Sequence, residues 1–480
     1  MVRNGNVRAF RYAAVIGVLL SLNANVALAQ SASSSIAPDA PGFFTGIWRR
    51  DSLLGDAGGL RTVLGRVGIT VQLTDSEEWL GNVSGGLQRG ATYDALTTLT
   101  VQLDTLKAFG WAGGTLNVSA LQIRGRSLSQ YYLGNLQTVS GISAVPTTRL
   151  WEVWYQQAFL DGRFDVKLGQ QSLDQEFMTS AGSALYLNTM MGWPMLPSAD
   201  LYAGGPAYPL SSLGVRFRGT TGPFTFLGGV FQDNPPGGPF DDDSQVRGTT
   251  RWGGNVNLRT GALFIAEAQY AFNQPANGDM DYGGRAAGLP GTYKLGFWFD
   301  TAAFSSQRYD NIGLSLADPS SSGVPRMIRR NYSFYAVADQ TIWRPDPDKP
   351  RALGVFVRAM GAPGDRNLIN FSVNAGINLK APLPGRDDDT FGIGFGITTV
   401  GGAARGLDRD ASAVIGGFSP VRSSETFLEM TYQAQVTPWL QIQPDFQFIH
   451  RPGAGVPDPN NPAQLLQDAA VFGVRGNLTF

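Results

Sequence analysis

The sequence contains no cysteine, so no disulfide staples the fold and no thiolate chemistry is on offer. It contains one histidine, His450, which excludes histidine-cluster metal sites and argues against histidine-based catalysis. Charge is sparse as well. Charged residues make up 16% of the chain and the formal net charge is −1, so neither nucleic acid nor an anionic surface is implied as a partner. Beyond the N-terminal region no segment offers roughly 18 consecutive apolar residues, which excludes helical membrane spans. No short internal repeat is present. Residues 31–40 are the clearly low-complexity piece.

What the chain does have is glycine and aromatic residues. There are 61 glycines without a fixed period, with 28 Phe, 15 Tyr and 10 Trp. Glycine this frequent argues against a helical protein. At the N-terminus, residues 1–11 carry Arg3, Arg8 and Arg11 and no acid, residues 12–22 are mostly apolar, and Ala27-Leu28-Ala29 offers a small-x-small cleavage site. This is the pattern of a secretory signal peptide over residues 1–29. An exported chain with no spanning helix is periplasmic, secreted or a β-barrel.

Alternation decides between them. In the last eleven residues Phe472, Val474, Leu478 and Phe480 fall on one face, and Arg475, Asn477 and Thr479 on the other. Side chains alternate with period two, and about eleven tilted residues cross a bilayer core as a strand. The same pattern recurs upstream. Val67, Ile69, Val71 and Leu73 alternate with polar or small residues, as do Leu99, Val101 and Leu103. Trp151, Val153, Tyr155 and Phe159 oppose Glu152, Gln156 and Ala158. Phe164, Val166 and Leu168 oppose Arg163, Asp165 and Lys167; Leu213, Val215 and Phe217 oppose Arg216 and Arg218. Ile369, Phe371, Val373, Ala375, Ile377 and Leu379 oppose Asn370, Ser372, Asn374 and Asn378. Leu428, Met430, Tyr432, Ala434 and Val436 oppose Glu429, Thr431, Gln433 and Gln435.

Tight turns are expected at Asp161-Gly162, Thr221-Gly222-Pro223, Thr260-Gly261 and Thr437-Pro438-Trp439. Long connections are expected over 126–147, 171–211, 232–249, 305–331, 401–424 and 451–468. Short turns at one end and long loops at the other match the periplasmic and extracellular ends of a barrel. The predicted fold is therefore all-β: a transmembrane antiparallel β-barrel over 65–480, preceded by a periplasmic, plug-like segment over 30–64. Candidate strands number about seventeen, whereas such barrels have an even number. Sixteen is the choice and eighteen the alternative; the doubtful regions are 251–259 and 305–331.

A charge on the lipid face costs roughly 2–4 kcal/mol at the midplane. Glu152, Lys167, Arg216, Arg218, Glu267, Asp300, Arg358, Glu429 and Asp445 are accordingly candidate pore-lining residues. A barrel of this width leaves a polar aqueous channel, so diffusion of small polar solutes needs no chemistry. For any one of these charges the plainer role is that of a solvated lumen residue without selectivity.

Several segments then resemble the OprB-type carbohydrate-selective porins. They include Leu53-Leu54-Gly55-Asp56-Ala57-Gly58-Gly59-Leu60-Arg61, Gly134-Asn135-Leu136-Gln137-Thr138-Val139-Ser140-Gly141-Ile142 and, most specific, Gly169-Gln170-Gln171-Ser172-Leu173-Asp174-Gln175-Glu176-Phe177-Met178. Gly192-Trp193-Pro194, Gly204-Gly205-Pro206-Ala207-Tyr208-Pro209, Tyr335-Ala336-Val337-Ala338-Asp339-Gln340 and Tyr432-Gln433-Ala434-Gln435-Val436-Thr437-Pro438-Trp439 continue the likeness in order along nearly all of the mature chain. The resemblance implies a sixteen-stranded barrel in the bacterial outer membrane that passes sugars, glucose-like ones among them, with loops folded inward. Residues 171–211 are the candidate constriction loop, with Asp174, Glu176, Trp193, Tyr202 and Tyr208 as its candidate residues. An extracellular cap without a role in selection is the plainer reading of that loop.

The expected partners are small carbohydrates, outer-membrane lipid and, through Phe480, the barrel-assembly machinery. Monomer and homotrimer both remain open. No cofactor is implied, and no metal or catalytic site is marked. Phe391-Gly392-Ile393-Gly394-Phe395-Gly396 lacks the spacing and the βαβ context of a dinucleotide loop. Small residues opposite bulky lipid-facing ones explain it better. Asp241-Asp242-Asp243 and Asp387-Asp388-Asp389 read as solvated loop acids rather than cation sites. Two other classes compete with a passive porin: a β-barrel enzyme acting on lipid or polysaccharide, and a soluble exported sugar-binding β-protein.

Overall fold

A computed structural model describes residues 46–236, 252–254, 256, 258–274 and 288–480. The expected signal peptide and Asp241-Asp242-Asp243 lie outside them. Strands β1 (Ile69–Ser84), β2 (Gly90–Asp104), β3 (Gly114–Gly125), β4 (Thr147–Phe159), β5 (Phe164–Gln171), β6 (Ser212–Thr221), β7 (Phe224–Gln232) and β8 (Ala262–Phe272) form the first half of a closed antiparallel wall. Strands β9 (Gly291–Asp310), β10 (Pro325–Trp343), β11 (Ala352–Gly361), β12 (Ile369–Lys380), β13 (Thr390–Val400), β14 (Ser424–Thr437), β15 (Leu440–His450) and β18 (Ala469–Thr479) complete it. Two short strands, β16 (Pro457–Asp458) and β17 (Asn461–Leu465), pair with each other in the last loop. The wall thus has the sixteen strands expected. The alternative number, eighteen, is reached by adding this loop hairpin, which does not join the wall.

Each strand pairs with its sequence neighbour, and β1 pairs with β18 to close the ring. Closure leaves no row of unpaired backbone groups, the condition for standing in hydrocarbon. The outer face carries exposed apolar side chains, among them Leu168, Phe217, Phe226, Leu295, Phe334 and Phe472. The β4–β5 hairpin turns through Leu160, Asp161 and Gly162, all left-handed (φ 52, 56 and 83°), a geometry that Asp and Gly tolerate well. In the β2–β3 turn, Asp104 caps helix α2 (Thr105–Phe109) by accepting from the Leu106 and Lys107 amides.

Five expectations need correction. The 305–331 stretch is mostly strand: β9 runs on to Asp310 and β10 starts at Pro325, so the pair projects beyond its neighbours. Thr260-Gly261 is no hairpin turn; it ends the long β7–β8 connection, and Thr260 donates to Asp233. The described residues of 251–259 hold no strand. Trp151 and Ile369 leave the outer faces assigned to them, because the register shifts beside each one, between Ser119 and Ala120 and between Ile369 and Phe371. A bulge of this kind flips the parity of the residues beyond it. Finally, the lumen is not simply polar. Leu263, Ile265, Trp298, Phe356, Phe427 and Val471 point inward from the wall and are buried.

What buries them is loop. The chain between β5 and β6 holds two short helices, α3 (Thr189–Gly192) and α4 (Met195–Asp200), and packs inside the barrel with the 126–146 loop. The 401–423 loop forms helix α5 (Gly402–Ile415), tied to β9 by a forked contact from Arg308 to Asp410, both bonds 2.8 Å. At the opposite end, helix α1 (Leu60–Arg66) and the turn before it lie against the seam. Leu53 N–H donates to the Thr479 carbonyl, and Arg61 reaches the backbone oxygen of Phe480. Phe480 is buried there among Leu53, Leu73 and Leu478.

Candidate functional site

The 172–211 loop is seated on the inner wall by specific side chains. Arg358, 1% exposed, forms no ion pair with a carboxylate among the described residues; its guanidinium donates to the backbone carbonyls of Met178, Met190, Met191 and Gly192 at 2.5–3.0 Å. A fork of fixed donors suits several carbonyls converging from a helix end and a turn. Glu267 accepts from the Met178 amide and from the Tyr335 hydroxyl, each at 2.9 Å. Glu429 accepts from the amides of Leu187 and Asn188 at 2.5 and 3.2 Å. Asp339 accepts from the Ser180 hydroxyl and the Gly182 amide.

A charged cluster holds the start of the loop. Glu176 pairs with Lys167 and, at 2.6 Å, with Arg216 Nε. Arg216 also pairs with Asp165, which binds Arg218 at 2.7 Å. Lys167 Nζ lies 4.4 Å from the Trp154 ring centre, a cation–π contact. Burial works to raise the Glu176 carboxyl, but the charges of Lys167 and Arg216 hold it below the usual glutamate value. Asp200, fully enclosed, goes the other way: burial pushes its carboxyl well up, against the single amide of Ile369.

The remaining loop candidates hold the loop's own shape or pin it to its surroundings. Asp174 accepts from the Ser172 hydroxyl and the Tyr208 amide, and Glu152 from the Ser172 amide. Tyr208 donates to the Ile142 carbonyl, while Trp193 Nε1 donates to Gly204 within the loop. Tyr202 stacks on Phe304 at 4.9 Å and donates to the Ala303 carbonyl. The displaced Trp151 donates to the Leu210 carbonyl and meets Tyr208 edge-on.

Of the nine wall charges, Glu152, Lys167, Arg216, Glu267, Arg358 and Glu429 are gathered around this loop. Asp300 and Asp445 make no described hydrogen bond to the loop itself but stand beside it: Asp300 accepts from its neighbour Ala302 and faces Tyr202 of the loop, and Asp445 accepts from Gln447 and bonds Glu429. Arg218 is the one whose side chain stays substantially in water, at 44% exposure. Most of these charges are therefore enclosed rather than solvated.

Sequence reasoning did not assign a role to Glu425. It accepts from the amides of Leu136, Gln137 and Gly453 at 2.6–2.8 Å and so joins two loops to β14. Nothing local marks it. The glycine run does alternate with outward-facing Ile393 and Phe395, and the structure adds what the small residues make room for. A Cβ on Gly394 would lie 2.6 Å from Tyr186 Cε1, and one on Gly392 2.5 Å from Leu185. These glycines clear a trough in the wall where Tyr186 lies, donating to Asn378 at 2.7 Å. Asp389 is also occupied, by both arms of Arg386, the Tyr432 hydroxyl and the Gln435 amide.

The family model for carbohydrate-selective porins of the OprB family matches residues 88–480. The chain belongs to that family. This porin is 25% identical to Porin B of Pseudomonas aeruginosa over 435 residues, covering 85% of this chain and 88% of that one. It is 24% identical to a putative porin, QuiX, of Acinetobacter baylyi, covering 90% and 94%. The solved high-pH structure of Pseudomonas putida OprB superimposes with a TM-score of 0.77 at 24% identity, covering 90% of this chain and 99% of that one. The protein is thus an outer-membrane channel for sugars, not an enzyme, and its strands cross the bilayer.

Proposed function

We propose that this porin passes glucose-like mono- and small oligosaccharides through a pore narrowed by the 172–211 loop. The observation that carries this reading is the seat of Arg358, whose guanidinium holds four loop carbonyls against the wall. A loop fixed at so many points presents a rigid rim. Sugars are neutral, so selection among them calls for hydrogen-bonding groups and flat apolar faces at fixed positions rather than for net charge. Arg218 is our candidate for lining the passage. Glu152, Lys167, Arg216, Glu267, Arg358 and Glu429 act as anchors that hold the rim. The outer apolar face meets outer-membrane lipid.

The test is single-channel recording in planar bilayers. Purified protein is expected to form discrete channels, and glucose and maltose to lower the ion current in a saturable way. Folded protein that forms no channels, or a current indifferent to every sugar tried, refutes the reading.

A further inference from the structure

The end of the barrel that carries the seam holds a cavity of about 560 Å3, lined by Trp48, Lys380, Gln433, Gln435, Trp439 and Gln441 among others. Its volume falls in the range of small-molecule sites, about 300–1,000 Å3. It belongs to the opposite mouth from the infolded loops and shares no residue with the seats described above.

Its chemistry has two parts. The first is an aromatic platform. Trp439 is 8% exposed and its Nε1 donates to the Ile47 carbonyl at 2.7 Å. That bond fixes the turn Ile47–Arg49, so the next residue, Trp48, stacks on Trp439 with ring centres 6.2 Å apart and planes 27° apart. Trp48 nevertheless remains 68% exposed. Leaving so large an apolar ring in water is unfavourable, yet the fold holds it in place. The second part is a row of neutral amides. Asn477 donates to Gln441, Gln441 to Gln435 at 2.7 Å, and Gln435 to the Thr437 carbonyl. Gln433 beside them is held by its backbone in the β13–β14 ladder, and its side-chain amide makes no hydrogen bond to the described residues. The Lys380 ammonium is engaged by the Asp388 carbonyl at 2.6 Å, and Asp388 itself is also in the lining; with one charge of each sign beside several amides and two indoles, the lining favours a neutral, hydroxyl-rich ligand over an anion.

We propose that this vestibule is a second sugar-docking site, distinct from the loop-lined passage, in which a pyranose lies with its C–H face on Trp48 while its hydroxyls bond Gln433 and the amide row. This rests on the reading of the protein as a sugar channel. Such a site would hold solute at the mouth on its way through.

The chain's lack of cysteine supplies a clean test. Gln433→Cys is introduced into the full-length protein in detergent micelles, and its reaction with a small, charged methanethiosulfonate is timed with and without maltose. Arg163→Cys, exposed in the β4–β5 turn at the same end, is the control. By mass action, labelling at position 433 is expected to slow about fourfold at a sugar concentration about three times the dissociation constant, with the control unchanged. Trp48→Ala in the Gln433→Cys background is expected to remove the protection, and Trp48→Phe to keep most of it. Equal labelling rates with and without sugar overturn the site, as does full protection surviving Trp48→Ala. A sugar-dependent current without protection refutes the vestibule alone; protection without any channel refutes the porin reading alone.

Discussion

Arg358 is the residue on which most of the loop geometry converges. Among the described residues no carboxylate forms an ion pair with it, Asp339 acting on it only from farther off; it is satisfied by carbonyls that have no other described side chain to turn to. A buried polar group left without a partner costs about 1–3 kcal/mol. Arg358→Met keeps the volume and removes every donor. It is expected to cost the loop seat on the order of 3 kcal/mol, which moves the seated-to-released ratio by about two powers of ten. The barrel ladder is untouched, so the protein should still fold and resist heat. Single-channel conductance should rise and sugar block should weaken. Unchanged conductance in a folded variant would show that the loop does not depend on this guanidinium. The glycines opposite Tyr186 carry the complementary expectation. Gly394→Val places side-chain atoms where the Tyr186 ring lies, so it should shift the loop in the same direction without removing any hydrogen bond.

At the scale of the element, the 172–211 loop is a titrating structure. A carboxyl whose folded value is lowered contributes stability above its unfolded value and loses it as pH falls through the folded one. Glu176 is such a group, held down by Lys167 and Arg216 against the effect of burial. Its contribution should be intact from neutrality down to the ordinary glutamate value of 4.5 and fade below it. Asp200, raised by burial, has the opposite sign: the folded loop prefers it protonated, so its cost grows as pH climbs away from the acid range. Channel noise and sugar block recorded against pH should therefore change on the acid side in the native protein. Glu176→Gln should show the loosened behaviour already at neutral pH. A pH profile identical in the two proteins would detach Glu176 from loop seating.

The same loop decides which strands were legible from sequence. The runs that alternate cleanly, in β1, β2, β5, β6 and β14, have largely polar inner faces. β8 and β9 carry apolar residues on both faces, such as Leu263 and Phe264 or Phe297 and Trp298, because the loop covers them from within. Their period-two signal is blurred by a contact made with chain far away in sequence. The loop itself was recognisable from its length and composition, and from Gly169-Gln170-Gln171-Ser172-Leu173-Asp174-Gln175-Glu176-Phe177-Met178. Where each of its side chains lands was not recognisable, since Glu429 and Leu187 meet across 242 residues and nothing local to either announces the other.

For the molecule as a whole, sixteen strands and closure were readable because every backbone donor needs a partner in hydrocarbon. The terminal phenylalanine stands at the centre of that closure. Phe480 N–H donates to the Leu73 carbonyl, and its ring is buried among Leu53, Leu73 and Leu478. Deletion of Phe480 should lower the yield of assembled, heat-modifiable barrel in the membrane severalfold, while the few channels that form keep native conductance. Normal membrane levels of the truncated protein would sink this expectation.

The seam has one more consequence, and it concerns time. Glu78 of β1 is bound by Arg475 of β18, 397 positions further along the chain. An emerging chain can zip each new strand onto the one before it, but the far edge of its first strand waits unpaired until the last has been delivered. Throughout that interval the half-built wall is an open sheet with two hungry edges, each a template for wrong pairing. Only the last strand removes both edges at once, and it does so with a contact between a buried acid and a buried base.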